Sequence, residues 1–307
     1  MQYTVKSAVT FAGTGLHNGL PVRMVVRPAP AENGIWFRRT DIEDGCNLIA
    51  ARWDAAVPAR LCTRIRNSYG IEVSTIEHIM AALSGLGIHN ALIDVSGSEV
   101  PILDGSAAPF VRAILSAGLQ RQAAPVRVLR ILEKVEVREG DAVARLEPCE
   151  GFKMQFDISF ADVAIGDQSK TLDMSNGTFI RELCDSRTFC RQVDVDFMRT
   201  NGLALGGTME NAVVVDGAKV LSPGGLRHLD EPVRHKMLDA LGDLYLAGAP
   251  ILGSYVGHRA GHALTGALLK TVLERPGAAC MIEADQRIAA RLPGVGVRYE
   301  DLALLAA

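Results

Sequence analysis

Apolar and polar positions along the chain follow two rhythms. Residues 3 to 28 alternate, as in Tyr3-Thr-Val-Lys-Ser-Ala-Val-Thr-Phe11 and Pro21-Val-Arg-Met-Val-Val-Arg27, and predict strands around a turn, Gly13-Thr-Gly-Leu-His-Asn-Gly19. The turn has too few glycines, and no helix after it, for a dinucleotide fingerprint. His17 inside it reads first as a turn histidine bonded to its own loop, and second as a residue facing a site. A helical rhythm starts at Ser74-Thr-Ile-Glu-His-Ile-Met-Ala-Ala-Leu-Ser84, where Ile76, Ile79, Met80 and Leu83 form one stripe and His78 falls nearly opposite. Ser74 and Glu77 have the spacing of a capping box, so Glu77 reads first as a cap. A strand at 90–95, another running into a turn at 100–105 and a helix from Ser106 to Ser116 complete this unit. Gly118 and the polar run 120–125 read as a linker.

The second half opens like the first. Alternating strands at 126–137, 142–146 and 153–160 precede helices near 178–184, at 229–247 and from Gly261 onward. Strands followed by helices in both halves, with one-faced alternation, predict an α+β architecture with sheets covered by helices on one side. Residues 1–122 and 126–307 are taken as two domains. No residue-level repeat relates them.

The helix predicted at 229–245 has Asp230 or Glu231 at its start, Pro232 in its first turn and Gly248 as its stop. Val233, Met237, Ala240, Leu241 and Leu244 form its apolar stripe, while His235, Asp239 and Asp243 line up at i, i+4, i+8 on the other side. Side chains one turn apart can reach one ion. Taken alone, His-x-x-x-Asp reads first as a solvated polar face.

Composition narrows the chemistry. The 307 residues are 48% hydrophobic and 22% charged, which fits a globular protein with a sizeable core. A net charge of −3 disfavours nucleic acid as a partner. Six cysteines without a C-x-x-C pair indicate neither a thiolate zinc site nor a disulfide scaffold, and fit the reduced thiols of a cytoplasmic protein. The N-terminal residues lack a signal-peptide pattern, and no apolar run is long enough for a transmembrane segment.

Three neighbourhoods combine histidine with carboxylate: Glu77-His78, His235 to Asp243, and Gly261-His262. His78, His235 and Asp239 as ligands would leave a fourth position for water, the pattern of a catalytic zinc site. Glu77 would then stand ready to take a proton from that water. His262 begins a helix, whose dipole disfavours the imidazolium, while Asp243 would favour it by pairing. As bare chemistry this is metal-assisted hydrolysis, although spacing does not establish that the groups meet. A metalloprotease is disfavoured because no H-E-x-x-H occurs. The segment 191–215, with Val195, Phe197, Met198, Leu203, Ala204 and Leu205, reads equally as ordinary core or as the wall of a channel for an alkyl chain.

Ser74-Thr-Ile-Glu-His78, Asp104-Gly-Ser-Ala-Ala-Pro-Phe110, Ser186-Arg-Thr-Phe189, Val233-Arg-His-Lys-Met-Leu-Asp-Ala-Leu-Gly-Asp243 and Gly261-His-Ala-Leu264 occur in that order. Together they resemble the UDP-3-O-acyl-N-acetylglucosamine deacetylases over essentially the whole chain. The resemblance implies the zinc-dependent committed step of lipid A synthesis: removal of acetate from the 2-acetamido group of a UDP-glucosamine bearing a 3-O-hydroxyacyl chain. It implies His78, His235 and Asp239 as Zn2+ ligands, with ferrous iron the alternative in vivo. Glu77 is implied as general base and His262, oriented by Asp243, as acid or electrostatic stabiliser. Thr188 is implied as oxyanion donor, Lys236 and Phe189 as holding the nucleotide-sugar, and the insertion at about 191–215 as the acyl passage. The implied fold is two α+β domains of similar topology, each a β-sheet packed on helices that face inward, a β-α-α-β sandwich. A cytoplasmic monomer is expected. For the apolar end, Leu302 to Ala307, a packed terminus competes with a tail read by a regulatory protease. Three departures stand out: Arg60 where some relatives carry Met, Arg191 where some carry an aromatic residue, and Ala142 where some carry a basic one.

Overall fold

The alternating segments pair into two sheets with one strand order in the computed structural model, which describes residues 1–43 and 45–305. In the first half the order is Val9–Thr14, Pro21–Pro28, Ala91–Val95, Ile35–Arg39, Leu48–Ala50. Only Ala91–Val95 with Ile35–Arg39 is parallel. The second half repeats this with Val135–Glu139, Ala142–Glu147, Ile251–His258, Phe152–Ser159 and Asp167–Asp173, and again the third and fourth strands are the parallel pair. Arg127–Ile131 and Ala279–Glu283 extend this second array to seven strands.

Six helices carry the argument: α1 (Glu77–Gly85), α2 (Ala108–Ala117), α3 (Thr178–Glu182), α4 (Gln192–Thr200), α5 (Glu231–Leu244) and α6 (His262–Glu274). In each half one helix precedes the central strand and one follows it: α1 and α2 around Ala91–Val95, α5 and α6 around Ile251–His258. Helices α2, α5 and α6 pack on strands of their own half, and α1 packs on α5 across the halves. The result is the expected α+β fold of two similar units. One contiguous apolar core runs through both, joining Phe37, Ile79 and Leu83 to Phe156, Leu241 and Tyr255.

The stripe expected on α5 is buried, each of its five residues at most 2% exposed. The opposite side differs from a solvated face, because His235, Asp239 and Asp243 are buried too. This helix is covered on both sides: by its own sheet and by α1. Asp230 occupies the N-cap without capping, since its carboxylate pairs with Arg234 and with Lys170. Gly248, at φ +78, ends the short 3-10 turn that follows α5.

Three other expectations are corrected. Helix α1 starts at Glu77, and Ser74 ends the strand Glu72–Ser74, so no capping box forms. Part of the supposed linker is a strand, Leu119–Arg121, paired antiparallel with Tyr3–Val5. Within the insertion, 192–200 is the helix α4, none of whose residues is buried. At the C-terminal end Leu302 packs against the main core, whereas Ala306 and Ala307 lie outside the described residues. Among the described residues no helix is long and apolar enough to cross a membrane.

Candidate metal centre

Helix α5 lies so close to α1 that a Cβ at Gly242 would collide with the Glu77 carbonyl oxygen. Glycine therefore sets the distance between the helices and brings the first turn of α1 onto the polar side of α5. His78 Nε2 and His235 Nε2 stand 3.5 and 3.2 Å from the same oxygen, Asp239 Oδ1. Two ligands about 2.0–2.1 Å from a tetrahedral ion are about 3.3 Å apart, so both separations suit one cation. The His78 and His235 rings meet edge to face, with centroids 5.0 Å apart. Among the described residues this is the group of three able to hold a metal ion.

The protonation pattern points the same way. His235 Nδ1 donates to the Ser186 carbonyl at 3.0 Å, which leaves Nε2 as an acceptor in the neutral ring. That acceptor faces Asp239 Oδ1, itself buried and without a hydrogen-bond donor. Two acceptors in contact repel unless a cation lies between them, and the donor set of two imidazoles and a carboxylate fits zinc or ferrous iron. Burial works to raise the Asp239 carboxyl, yet with a proton on each ring in place of an ion His235, Lys236 and His78 hold it well below the usual carboxylate range. Lys236 Nζ donates to its other oxygen at 3.1 Å.

Two acid–base groups adjoin this cluster. Glu77, buried, accepts from the Thr63 amide at 2.9 Å. Desolvation, reinforced by Asp239 and Asp243, pushes its carboxyl up to about 7 against the pull of His262. His262 is the first residue of α6 and meets Asp243 through Nδ1 at 2.9 Å. Burial would lower this imidazole, but Asp243, with Glu77 and Asp239, outweighs it and pushes the ring up to about 9. Its Nε2 lies 3.9 Å from Asp239 Oδ2. The Thr63 hydroxyl donates to the other Asp243 oxygen. Thr63 thus ties the Glu77 carboxylate to Asp243, the partner of His262, a link that no local pattern in the sequence marks.

A second tie fixes the segment beside α5. Arg187 donates through its backbone N–H and its Nε to Glu231 Oε1, both at 2.9 Å, and through Nη2 to Oε2 at 3.1 Å. Glu231 is fully buried. This pair holds Ser186 and Thr188 against the start of α5, and so aims the carbonyl that orients His235.

An apolar-walled cavity of about 680 Å³ opens onto His235, Lys236, Asp239 and His262. Thr188, Phe189, Val195, Phe197, Met198, Leu203 and Ala204 line it. Leu205 does not: it is exposed, and its amide bonds the His17 carbonyl at 3.1 Å. Beside it the Gly206 amide bonds the Leu16 carbonyl at 3.0 Å, and a Cβ at Gly206 would collide with the Gly15 carbonyl oxygen. The glycine-bearing turn and the insertion are thus stitched together. Buried Glu99 holds the turn by accepting from the His17 and Asn18 amides at 2.8 and 2.9 Å. His17 lines the cavity with both ring nitrogens buried and unbonded, so it is not the self-bonded turn residue first expected.

The profile described as "UDP-3-O-acyl N-acetylglycosamine deacetylase" matches residues 2–274. A protein of Phenylobacterium zucineum named UDP-3-O-acyl-N-acetylglucosamine deacetylase is 50% identical over 277 residues, 90% of this chain and 94% of its own. Namesakes from Shewanella violacea and Shewanella baltica are 46% and 44% identical, covering 90% and 96% of this chain and 91% and 98% of their own. With two similar α+β units, a histidine–aspartate cluster between them and likeness along nearly its whole length, this chain belongs to the UDP-3-O-acyl-N-acetylglucosamine deacetylase family.

Proposed function

We propose that the protein is a zinc-dependent hydrolase that removes acetate from the 2-acetamido group of UDP-3-O-(3-hydroxyacyl)-N-acetylglucosamine, the committed step of lipid A synthesis. The observation that carries this reading is the unbonded Asp239 oxygen between two imidazoles, with Glu77 and His262 beside it. His78, His235 and Asp239 hold the ion; when bound, it polarises the amide carbonyl and lowers the pKa of water toward ~7.

The chain's own groups supply the rest. Glu77, unprotonated, takes a proton from the water that attacks the carbonyl carbon. The Thr188 hydroxyl and the His262 imidazolium stabilise the oxyanion as it forms. His262, kept charged and aimed by Asp243, then gives its proton to the sugar nitrogen as the C–N bond breaks, leaving acetate and a free amine. Lys236 and Phe189 hold the nucleotide-sugar, and Val195, Phe197, Leu203 and Ala204 receive the acyl chain, with Leu205 fixing the insertion to the turn at His17. In this reading 1–122 and 126–307 are two domains with the site between them. The protein acts as a cytoplasmic monomer, and the packing of Leu302 on the core favours a packed terminus over a tail read by a regulatory protease.

Acetate release from the acylated UDP-sugar, followed with and without a chelator, tests the proposal. Chelator-sensitive release restored by Zn2+ is expected; absence of release by metal-loaded protein that still binds the sugar would overturn it.

A further inference from the structure

We propose that Arg60 caps the apolar cavity and sets the acyl-chain length that the protein accepts best. The proposed reaction enters this inference only through the identity of the cavity's occupant. The cavity runs from the buried pair His235 and Asp239 to side chains at the surface, where Phe197 is 57% exposed and Arg60 is exposed as well. There the Arg60 guanidinium carbon lies 5.9 Å from the centroid of the Phe197 ring. The two residues come from opposite halves. Arg60 sits in the connection 58–63 between two short strands of the first half, and Phe197 on α4. Leu61, a non-glycine residue at φ +65, turns the connection immediately after Arg60.

The charge of Arg60 is otherwise uncommitted. Among the described residues it has no carboxylate partner, whereas nearby Arg191 is held by Asp194 at 2.7 Å. A guanidinium stacked on a ring keeps its edge N–H groups toward water. A methylene chain filling the cavity gains from each buried carbon until it meets that hydrated edge. Past this point further carbons displace the cap or lie in solvent, and neither adds binding. Apolar burial corresponds to about fourfold per methylene, so kcat/KM should climb at about that rate with chain length and then level off. The position of the plateau is the property assigned to Arg60.

Acetate release measured on 3-O-acyl substrates of increasing length, for the metal-loaded protein and Arg60→Met, reads the plateau directly. Methionine has similar reach and no charge. The expected result is a plateau displaced to longer chains in Arg60→Met, the gain confined to the long substrates and appearing in KM more than in kcat. An unmoved plateau, or one common factor at every length, would overturn the inference. Calorimetric binding of the same series keeps it separable from the proposed reaction. If no substrate releases acetate, that reaction fails, and a length profile in binding that shifts in Arg60→Met still supports the cap, while one that stays put refutes it.

Discussion

In the first half the helix before the central strand, α1, is 9 residues long and offers Glu77 and His78 from its first turn. In the second half the helix in the same place, α5, runs 14 residues and offers His235, Asp239 and Asp243 from successive turns. The scaffold positions are equivalent and the chemistry is not. Facing equivalent helices across a repeated architecture gives contact almost automatically; the asymmetric side chains make that contact a site. The same contrast recurs at the rim. Residues 58–63 join the antiparallel strands Ala56–Val57 and Arg64–Arg66 in one half, 192–212, carrying α4, join the parallel strands Phe189–Arg191 and Val213–Asp216 in the other, and Arg60 and Phe197 bring the two connections together. Neither half is complete: one holds Glu77 and a single imidazole of the cluster, His78, the other His235, Asp239 and His262.

The sharpest way to break the comparison is to strip each half of its contribution. Asp239→Ala should abolish metal binding and activity together. Glu77→Gln should retain about one metal per chain and still lose about 10²–10⁴ of kcat, the usual share of a general base. Metal analysis beside turnover separates the two; loss of metal in Glu77→Gln would make Glu77 a ligand. Next in size is the spacing between the halves. Gly242→Ala adds a methyl group against the Glu77 carbonyl and should cost roughly 1–3 kcal/mol as overpacking, read as a lower Tm, with weaker metal binding. Unaltered metal affinity in that variant would show that the helices tolerate separation.

The smallest effect concerns the first half alone. His89 Nδ1 accepts the Tyr3 amide at 3.2 Å, and burial lowers its imidazole to about 4. Above pH 6.5 the ring is neutral both folded and unfolded. As pH falls from 6.5 toward 4 the unfolded chain binds the proton first, so stability declines across that window. Denaturant titrations at pH 7 and pH 4 should show that loss, and His89→Gln should flatten it.

The sequence was legible where periodicity and chemistry agreed. The stripe of α5 and the spacing of His235, Asp239 and Asp243 are local properties of one helix. What stayed hidden depends on contacts between distant segments. Ser74 and Glu77 match a cap signature, but Ser74 pairs across a sheet and Glu77 is claimed by Thr63, which local spacing does not reveal. Residues 119–121 read as linker because their partner, Tyr3–Val5, lies more than a hundred positions upstream. The place of His17 is not legible locally because its ring lines a cavity that both halves build together. Gly242, a glycine inside a helix, did carry a local signal: such a residue weakens the helix unless another backbone must come close.

The two backbone hydrogen bonds from Leu205 and Gly206 to the turn at His17 give the cavity wall unequal mobility. Helix α4 buries no residue, so little holds it beyond its own ladder and its strand neighbours, while the stretch after it is fastened to the first half. Local opening of α4 therefore requires far less free energy than global unfolding. The cavity wall can thus give at α4 while the buried histidine–aspartate cluster beneath keeps its geometry.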